Sequence, residues 1–520
     1  MGMDERKKYW RRRIGAGLVL AGLMAVPVGV SYHFNGIRLS PEAMDNAQLA
    51  RNVARGRGLV TGVIRPASLL FHEDISAHPD LYRPPLPALI LAAAFRVFGA
   101  SDRVVSLWAL LLFWVDGLLA VFLARRALGS GGAFLSAALY FTNASLLDSV
   151  LQGDPYLLAS LVFLVLLFFL YRTDNAPVSS LAAGLLCGAG YLSSGGWFWF
   201  GAAALAGVYY FFRAAEGERF DLKRVSALIA GFLLPALFWW GRNLAAGGFL
   251  VSPLRSAEYR MFTSSFPGDS LLRETVREVF TRGVGMKTLI LKWWQGGESV
   301  YESLLFFTGS FAVVFFWPAL FLPFPDRKWS RLRYFIFGCL VLGVAQFVVF
   351  ARQAGDIRFL VPTAIPLAAA AFLFILEKMD PPRRIPRRWL IGLLIGLSLV
   401  PAVDQLRISR SPQDPTRQNC LRLRDRIPAG EGVVADRPEA AAWYGDRPAL
   451  WLPAEAGVPA GFRYLYLTPE AEDYPPVRRG NRAFSWPMVY RARGLSPYWE
   501  VEEYIPLPGD QFFCRIVPAP

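Results

Sequence analysis

The chain alternates between long, nearly unbroken apolar runs and short segments rich in arginine and lysine. Because the apolar runs are continuous and are not interleaved with polar residues, they predict helices and not the strands of a membrane barrel. Many of the runs reach the roughly 20 residues that a helix needs to cross a hydrocarbon core of about 30 Å. The pattern therefore predicts a polytopic α-helical membrane protein.

The basic clusters predict the topology, since cytoplasmic loops of membrane proteins are enriched in lysine and arginine. Placing all of them on the cytoplasmic side predicts about eleven spans, with the N-terminus inside and the C-terminus outside. The apolar stretch Pro85–Ala100 opens with prolines and contains Arg96, and we expect it to lie at the outer interface. The predicted spans are residues 14–33, 103–124, 131–147, 155–171, 177–193, 196–212, 225–241, 301–322, 334–350, 357–377 and 389–404.

This topology leaves three long segments outside: residues 34–102, residues 242–300 and the tail from 405 to 520. The tail alternates strand-like runs with helical or turn segments, which predicts a small extracytoplasmic α/β domain. Residues 1–404 would then form the transmembrane domain. In the second outer segment, Lys287 and Lys292 predict an interfacial amphipathic helix.

Composition agrees with this interpretation. The chain is 54% hydrophobic and 18% charged, whereas soluble chains carry about 25% charged residues. Its net charge of +15 comes from clusters between apolar runs, so it indicates membrane topology and not binding of nucleic acid. Cys420 and Cys514 both lie in the polar tail, where either a disulfide or two free thiols would be consistent with the sequence.

Acidic residues concentrate at the predicted outer rim. Ser40 and Pro41 predict the start of a short helix that carries Asp45. Asp45 could be a base that accepts a proton, or an ordinary acid stabilised by the start of its helix. Asp148 and Asp154 lie between predicted spans three and four, where Asp154 could stabilise an acceptor or cap the next helix.

Arginines are predicted at the same rim. Arg242, Arg255, Arg352 and Arg358 could bind a phosphate at the level of the lipid headgroups, because guanidinium groups pair with phosphate in a bidentate manner. Acceptor or metal contacts are a further hypothesis for Asp148, His72 and Glu73, although the loop of His72 and Glu73 lacks zinc-type spacing and could simply be solvated.

Several motifs in order carry a resemblance. They are the early acid Asp45 in an outer helix, the segment "YRPPLPALILAAAFRVFGASD", the pair Asp154-Pro155, "WWGRNLAAGGF" and "IRFLVPTAIPL". In this order and spacing, residues from about 30 to 405 resemble the GT-C superfamily of membrane glycosyltransferases, in particular protein O-mannosyltransferases and lipid A aminoarabinose transferases. The chain departs from the family at Tyr191–Trp199, where an Arg-Pro-Glu-Gly-like segment is common.

The resemblance implies a reaction. Such enzymes move a sugar from a polyprenyl-phosphate carrier to a lipid, glycan or protein acceptor at the outer face, with inversion at the anomeric carbon. It implies that Asp45 is the base, that Asp154 matches the second-loop acid, and that Arg242 and Arg358 are lipid-phosphate ligands. Arg83, which stands where the aminoarabinose transferases often have lysine, joins Arg255 and Arg352 in the predicted donor site.

The predicted setting is a bacterial inner membrane, with the site and the C-terminal domain on the periplasmic side. The predicted partners are the polyprenyl-phosphate sugar, membrane lipids and the acceptor. No cofactor is expected to be required, although a divalent cation is conceivable near the first loop. The alternative function is a flippase or transporter of lipid-linked sugars, which would place charged sites at mid-membrane.

Overall fold

The computed structural model of the protein is mostly helical. It describes residues 3–172, 177–214, 222–281, 283–308, 312–322, 326–350, 358–378, 386–408, 415–454, 461–474 and 485–518. Up to residue 408 the helices are α1 (Met3–Asn35), α2 (Pro41–Ala54), α3 (Pro66–Leu69), α4 (Pro85–Phe98), α5 (Asp102–Phe141), α6 (Ala144–Leu151), α7 (Tyr156–Arg172), α8 (Pro177–Ser194), α9 (Phe198–Ala214), α10 (Leu222–Gly247), α11 (Pro253–Ser256), α12 (Met286–Thr308), α13 (Ala312–Ala319), α14 (Arg327–Val349), α15 (Val361–Lys378) and α16 (Arg387–Ile408).

Four helices in the described ranges, α5, α10, α14 and α15, are long and apolar enough to cross a membrane. Shorter apolar helices lie at Gly17–His33, Pro85–Phe98, Tyr156–Tyr171 and Phe198–Tyr210. The helical architecture agrees with the sequence pattern, while the number of spans and the topology stay predictions.

Helix boundaries differ from the predicted spans at several positions, and α5 shows the difference most clearly. α5 continues from the predicted second span into the third, and only Gly129, with φ +71°, interrupts its helical backbone. The third span was expected to reach residue 147, but the helix ends at Phe141 and Asn143 caps a new helix by accepting a hydrogen bond from the Leu146 amide at 3.0 Å. Polar capping residues inside apolar sequence thus divide what hydropathy alone joins.

Glycines let α8 and α10 pack with their backbones in close approach. A Cβ added at Gly184 would lie 2.1 Å from the carbonyl oxygen of Leu228, and one at Gly231 would lie 2.3 Å from that of Leu181. Gly188, one turn after Gly184, likewise faces the Phe232 carbonyl. Small residues at this spacing are typical of packed membrane helices, where close backbone contact replaces the hydrophobic effect as the attraction.

The C-terminal residues build most of a six-stranded sheet. The strands are β1 (Val63–Ile64), β2 (Gly432–Ala435), β3 (Ala449–Trp451), β4 (Phe462–Leu467), β5 (Trp499–Leu507) and β6 (Gln511–Pro518), in the order β1-β3-β2-β4-β6-β5. The first four strands in this order are parallel to one another. Strand β6 is antiparallel to β4, and β5 is antiparallel to β6. The helices of the tail are α17 (Thr416–Arg426), α18 (Pro438–Gly445) and α19 (Trp486–Arg491). Among the described residues, 3₁₀ turns lie at Glu258–Arg260, Ser270–Arg273, Arg277–Phe280 and Pro469–Asp473.

Strand β1 belongs to the first predicted outer loop, not to the tail. It pairs with β3 through Val63 opposite Ala449 and Ile64 opposite Leu450. The loop and the tail therefore share one sheet. Cys420 and Cys514 are free thiols that pack in separate hydrophobic clusters of this region. Of the two alternatives that the sequence leaves open, the structure therefore has two free thiols and not a disulfide.

Candidate active site

The candidate site is organised around α2, whose first turn is fixed by its cap. The Ser40 hydroxyl accepts a hydrogen bond from the Ala43 amide at 3.0 Å, and Pro41 occupies the first helical position, as the sequence predicts. Gly56 and Gly58 follow the helix with φ +80° and +76°, which glycine adopts without steric cost. This geometry turns Asp45 inward, where its side chain is 0% exposed.

Asp45 forms ion pairs with two arginines. Its Oδ2 accepts hydrogen bonds from Arg65 Nη2 at 2.6 Å and from Arg83 Nε at 2.7 Å, while its Oδ1 accepts one from Gln48 Nε2 at 3.2 Å. Burial alone would raise the pKa of Asp45, but the positive charges of Arg65 and Arg83 outweigh burial and lower that pKa. Asp45 is therefore ionised at neutral pH, and its Oδ1 is the less occupied oxygen.

The Tyr82 ring contacts two arginine side chains of the site. The guanidinium groups of Arg65 and Arg255 lie 4.5 and 4.4 Å from the centroid of this ring. Arg255 also donates from Nε to the Tyr82 carbonyl at 2.7 Å and forms an ion pair with Glu258 at 2.7 Å. Cation–π contacts and charge-assisted hydrogen bonds of this kind fix guanidinium groups in one orientation.

The Arg242 side chain contacts main-chain carbonyl groups of the first outer segment. Its Nη1 donates to the Asp80 carbonyl at 2.6 Å, and its Nη2 donates to the Leu59 carbonyl at 3.0 Å. The Asp80 carboxylate in turn accepts from the amides of Tyr82 and Arg83 at 2.6 and 2.7 Å. Arg242 thus braces the segment that carries Arg83, and its role as a phosphate ligand stays a prediction.

The second group of predicted residues meets around Arg358. Its Nη1 lies 3.7 Å from Asp148 Oδ2 and 3.8 Å from Asp154 Oδ2. Asp154 Oδ1 also accepts from the Tyr156 amide at 2.9 Å, at the start of α7. Burial raises the pKa of Asp154 to about 6, although this amide and Arg358 favour the ionised form. Arg352 lies outside the described residues.

The loop with His72 and Glu73 shows no metal-binding arrangement in the part of the chain that the structure describes. Glu73 is exposed, and the His72 ring packs at 5.5 Å against the ring of His78. His78 is buried and lies 2.7 Å from the Ser68 hydroxyl. Whether these residues contact a cation or an acceptor stays a prediction.

A cavity of about 60 Å³ opens beside Arg83. Both polar and aromatic side chains line it. The polar lining residues include Arg83, Asn243, Arg255, Glu258 and Gln346, and the aromatic ones are Tyr82, Tyr191, Trp197, Phe200, Trp239 and Phe350. The uncharged Gly195 and Gly196 of the segment that departs from the family also line it. The lining therefore offers arginine side chains to an anionic group and aromatic side chains to an apolar one.

Two residues of the candidate site, Arg65 and Asp269, escape the sequence analysis. Arg65 completes the Asp45 pair, and its only signal is a lone arginine before Pro66 in an apolar stretch. Asp269, from the second outer segment, has a buried Oδ1 with no hydrogen-bond partner in the described ranges, and burial raises its pKa to about 6.

The helix expected around Lys287 and Lys292 is present as α12, with Lys287 exposed, but Lys292 is not at its surface. Instead of facing water, the Lys292 side chain is 1% exposed and donates to the main-chain carbonyls of Tyr259 at 2.8 Å and Val349 at 2.9 Å. The lysine ties α12 to the end of α14, because a buried ammonium group must find acceptors.

Comparison with known proteins supports a common architecture. Residues 82–240 match the family model described as dolichyl-phosphate-mannose-protein mannosyltransferase. Among solved structures, ArnT from Cupriavidus metallidurans bound to undecaprenyl phosphate is similar, with a TM-score of 0.58 and 12% identity over 96% of this chain and 98% of that one. Its apo state gives a TM-score of 0.57, also at 12% identity, over 97% and 98%.

The oligosaccharyltransferase of Archaeoglobus fulgidus, in complex with Zn and sulfate, gives a TM-score of 0.56 and 13% identity over 86% of this chain and 68% of that one. No curated protein sequence gives a significant match. At these identities the likeness shows the fold. The predicted resemblance to the GT-C superfamily is confirmed.

Proposed function

We propose that this chain is an integral membrane glycosyltransferase that moves a sugar from a polyprenyl-phosphate carrier to an acceptor at the outer face of a bacterial inner membrane. The observation that carries the proposal is the position of Arg83. Its guanidinium group contacts the buried Asp45 carboxylate, and Arg83 also lines the cavity that aromatic side chains line as well.

The cavity supports a lipid-phosphate donor. Arg83 and Arg255 can neutralise a phosphate, and the aromatic wall of Trp197, Phe200 and Trp239 suits the first units of a polyprenyl chain. The fold agrees with this choice, because the similar ArnT structure was solved with undecaprenyl phosphate bound.

The proposed reaction is a direct displacement. The acceptor hydroxyl or amine gives its proton to the Asp45 carboxylate, and its oxygen or nitrogen forms a bond to the anomeric carbon. The bond from that carbon to the carrier phosphate breaks, so the polyprenyl phosphate leaves with the electron pair and the sugar is inverted. Arg83 stabilises the charge that grows on the leaving phosphate.

Incubating the purified full-length protein with a panel of polyprenyl-phosphate sugars, and following release of the free lipid phosphate, tests the proposal. We expect Asp45→Asn to lower turnover by about 10²- to 10⁴-fold, the usual contribution of a general base, with donor binding retained. Arg83→Gln should weaken donor binding as well, because its side chain would contact the phosphate.

Asp74→Asn is the matched control, since Asp74 lies in the same outer segment as Asp45 and Arg83 but is exposed to solvent. Normal turnover by Asp45→Asn would remove the base assignment. Movement of an intact lipid-linked sugar across vesicles without release of lipid phosphate would overturn the transferase in favour of a flippase.

A further inference from the structure

A second cleft, of about 520 Å³, opens between α2, the junction of α4 with α5, and the C-terminal helices α17 and α18. It shares no lining residue with the cavity beside Arg83. We refer to it as the arginine cleft, after its charged lining. That lining consists of Arg51, Arg55, Arg96, Arg417, Arg424, Asp102 and Asp446.

Helical spacing brings these arginines to one cleft. Arg51 lies in the last turn of α2 and Arg55 follows four residues later as its C-cap, while Arg417, Leu421 and Arg424 follow the spacing of one face of α17. The two helices come from opposite ends of the chain. Neither pair of arginines indicates a site by itself, and only the fold places them across from each other.

The floor of the arginine cleft is aromatic and rigid. The rings of Phe95 and Trp443 stack with their centroids 5.9 Å apart, and the Arg51 guanidinium lies 4.9 Å above the Trp443 ring. Trp443 Nε1 also donates to Asp102 at 2.7 Å. These contacts hold the base of the cleft without any ligand.

Positive charge in the cleft exceeds what its two acids can balance. Asp446 forms ion pairs with Arg51 and Arg55, each at 2.9 Å, and Asp102 forms one with Arg417 at 3.4 Å. The exposed side chains of Arg96 and Arg424 form no ion pair within the ranges that the structure describes. Five arginines against two aspartates leave an excess of three positive charges.

The arginines also act on one another. Burial lowers the pKa of Arg51 to about 10, Asp446 opposes this shift, and Arg55 and Arg424 add to it through their charges. An anion between them would relieve this repulsion. Arg417 is 62% exposed, so a ligand can reach the cleft from outside.

Exposed apolar side chains place the rim of the cleft near lipid. Val97 and Phe98, which follow Arg96, are 73% and 75% exposed, and Leu107 on α5 is 63% exposed. Because α5 is a membrane-length helix that begins at the cleft, these side chains mark where hydrocarbon starts. The arginines then lie at the level of the lipid headgroups.

We propose that the arginine cleft binds the phosphate-bearing headgroup of an anionic membrane lipid. Two or more guanidinium groups would chelate the phosphate oxygens in a bidentate manner, and the stacked Phe95 and Trp443 would contact the first carbons of the lipid. This site is additional to the proposed donor site and does not depend on the proposed function.

Lipid binding to the purified full-length protein in nanodiscs tests the proposal. The probes are phosphatidylglycerol, phosphatidylcholine and inorganic phosphate. The cleft variant is Arg417→Gln with Arg424→Gln. Its control is Arg422→Gln with Arg426→Gln, which removes the same charge from the same helix outside the cleft lining.

We expect the cleft variant to lose affinity for phosphatidylglycerol by about tenfold or more, with unchanged affinity for the polyprenyl-phosphate donor, while the control keeps both. If the cleft variant is poorly folded, Arg417→Lys with Arg424→Lys keeps the charge and should lose affinity to a smaller degree, since lysine cannot bind in a bidentate manner.

Three outcomes would overturn the proposal. Equal loss in the cleft variant and the control would mean that the basic surface attracts anions without a site. Unchanged affinity in the cleft variant would place lipid elsewhere. Inorganic phosphate that binds as tightly as phosphatidylglycerol would show a site for a soluble anion and not for a headgroup.

Discussion

The carboxylate of Asp45 forms ion pairs with two guanidinium groups, so removing either arginine should lower the stability of the fold. With Arg65 gone, a carboxylate that is 0% exposed keeps only Arg83, and half of its compensation is lost. We expect Arg65→Met to lower the free energy of unfolding by about 3–5 kcal/mol, the usual cost of breaking a buried pair. Thermal unfolding in detergent measures this loss.

The double variant with Asp45→Asn is the control. Because Arg65 and Asp45 contact each other, we expect the double variant to lose less stability than the sum of the two single substitutions, with a coupling energy of about 1–3 kcal/mol. Strictly additive effects of the two substitutions would show that the pair contributes little to folding, despite its distances.

Asp154 gives a second prediction at this scale, from its pKa of about 6 against 3.8 for an unburied aspartate. The folded chain favours the protonated acid, so stability is full below about pH 4 and falls as the pH rises towards 6. Relative to Asp154→Asn, the natural chain should lose on the order of 3 kcal/mol over this window, and the difference should stay constant above it.

Unfolding temperatures of both proteins between pH 4 and 7.5 provide the measurement. The asparagine keeps an acceptor for the Tyr156 amide, so the comparison isolates the charge. If the natural chain instead loses stability relative to Asp154→Asn as the pH falls, Arg358 stabilises the ionised acid more than burial opposes it.

Among the secondary-structure elements, the pair α8 and α10 depends on glycine. A Cβ at Gly184 would meet the Leu228 carbonyl at 2.1 Å, and backbone atoms cannot move aside as a flexible side chain can. We expect Gly184→Ala to separate the helices and to lower stability by about 1–3 kcal/mol. The matched control is Gly241→Ala on α10, where no atom lies within 4 Å and alanine should be neutral or slightly stabilising.

Sequence patterns predict elements better than they predict partners. The cap formed by Ser40 and Pro41 sets the start of α2, and the apolar runs set the membrane helices, because both signals are local. The pairing of Asp45 with Arg65, and the burial of Lys292 against main-chain carbonyls, depend on segments far apart in the chain. A lone arginine or lysine carries no mark that tells a buried pair from a solvated side chain.

Across the whole molecule, the C-terminal region and the first loop hold the candidate site together. β1 pairs with β3, and Arg65 directly follows β1, so the sheet sets the position of an arginine that contacts Asp45. On the other side, Arg51 on α2 donates to the carbonyls of Trp443 and Ala442 at 2.7 and 2.8 Å. The tail thus contacts both segments that supply the ion pair, which links a region outside the membrane helices to the proposed chemistry.

This connection predicts that a change on α2 is felt in the tail. Arg51→Met removes the hydrogen bonds to α18 and the ion pair with Asp446, so we expect faster amide hydrogen exchange in both α2 and α18 and a lower transfer rate. Exchange in α8 and α10 should not change, since their packing does not involve this contact. Arg57→Met, an exposed position just after α2, serves as the control and should leave all four helices as they are. Faster exchange confined to α2 would mean that the tail is held by the sheet alone and does not depend on α2.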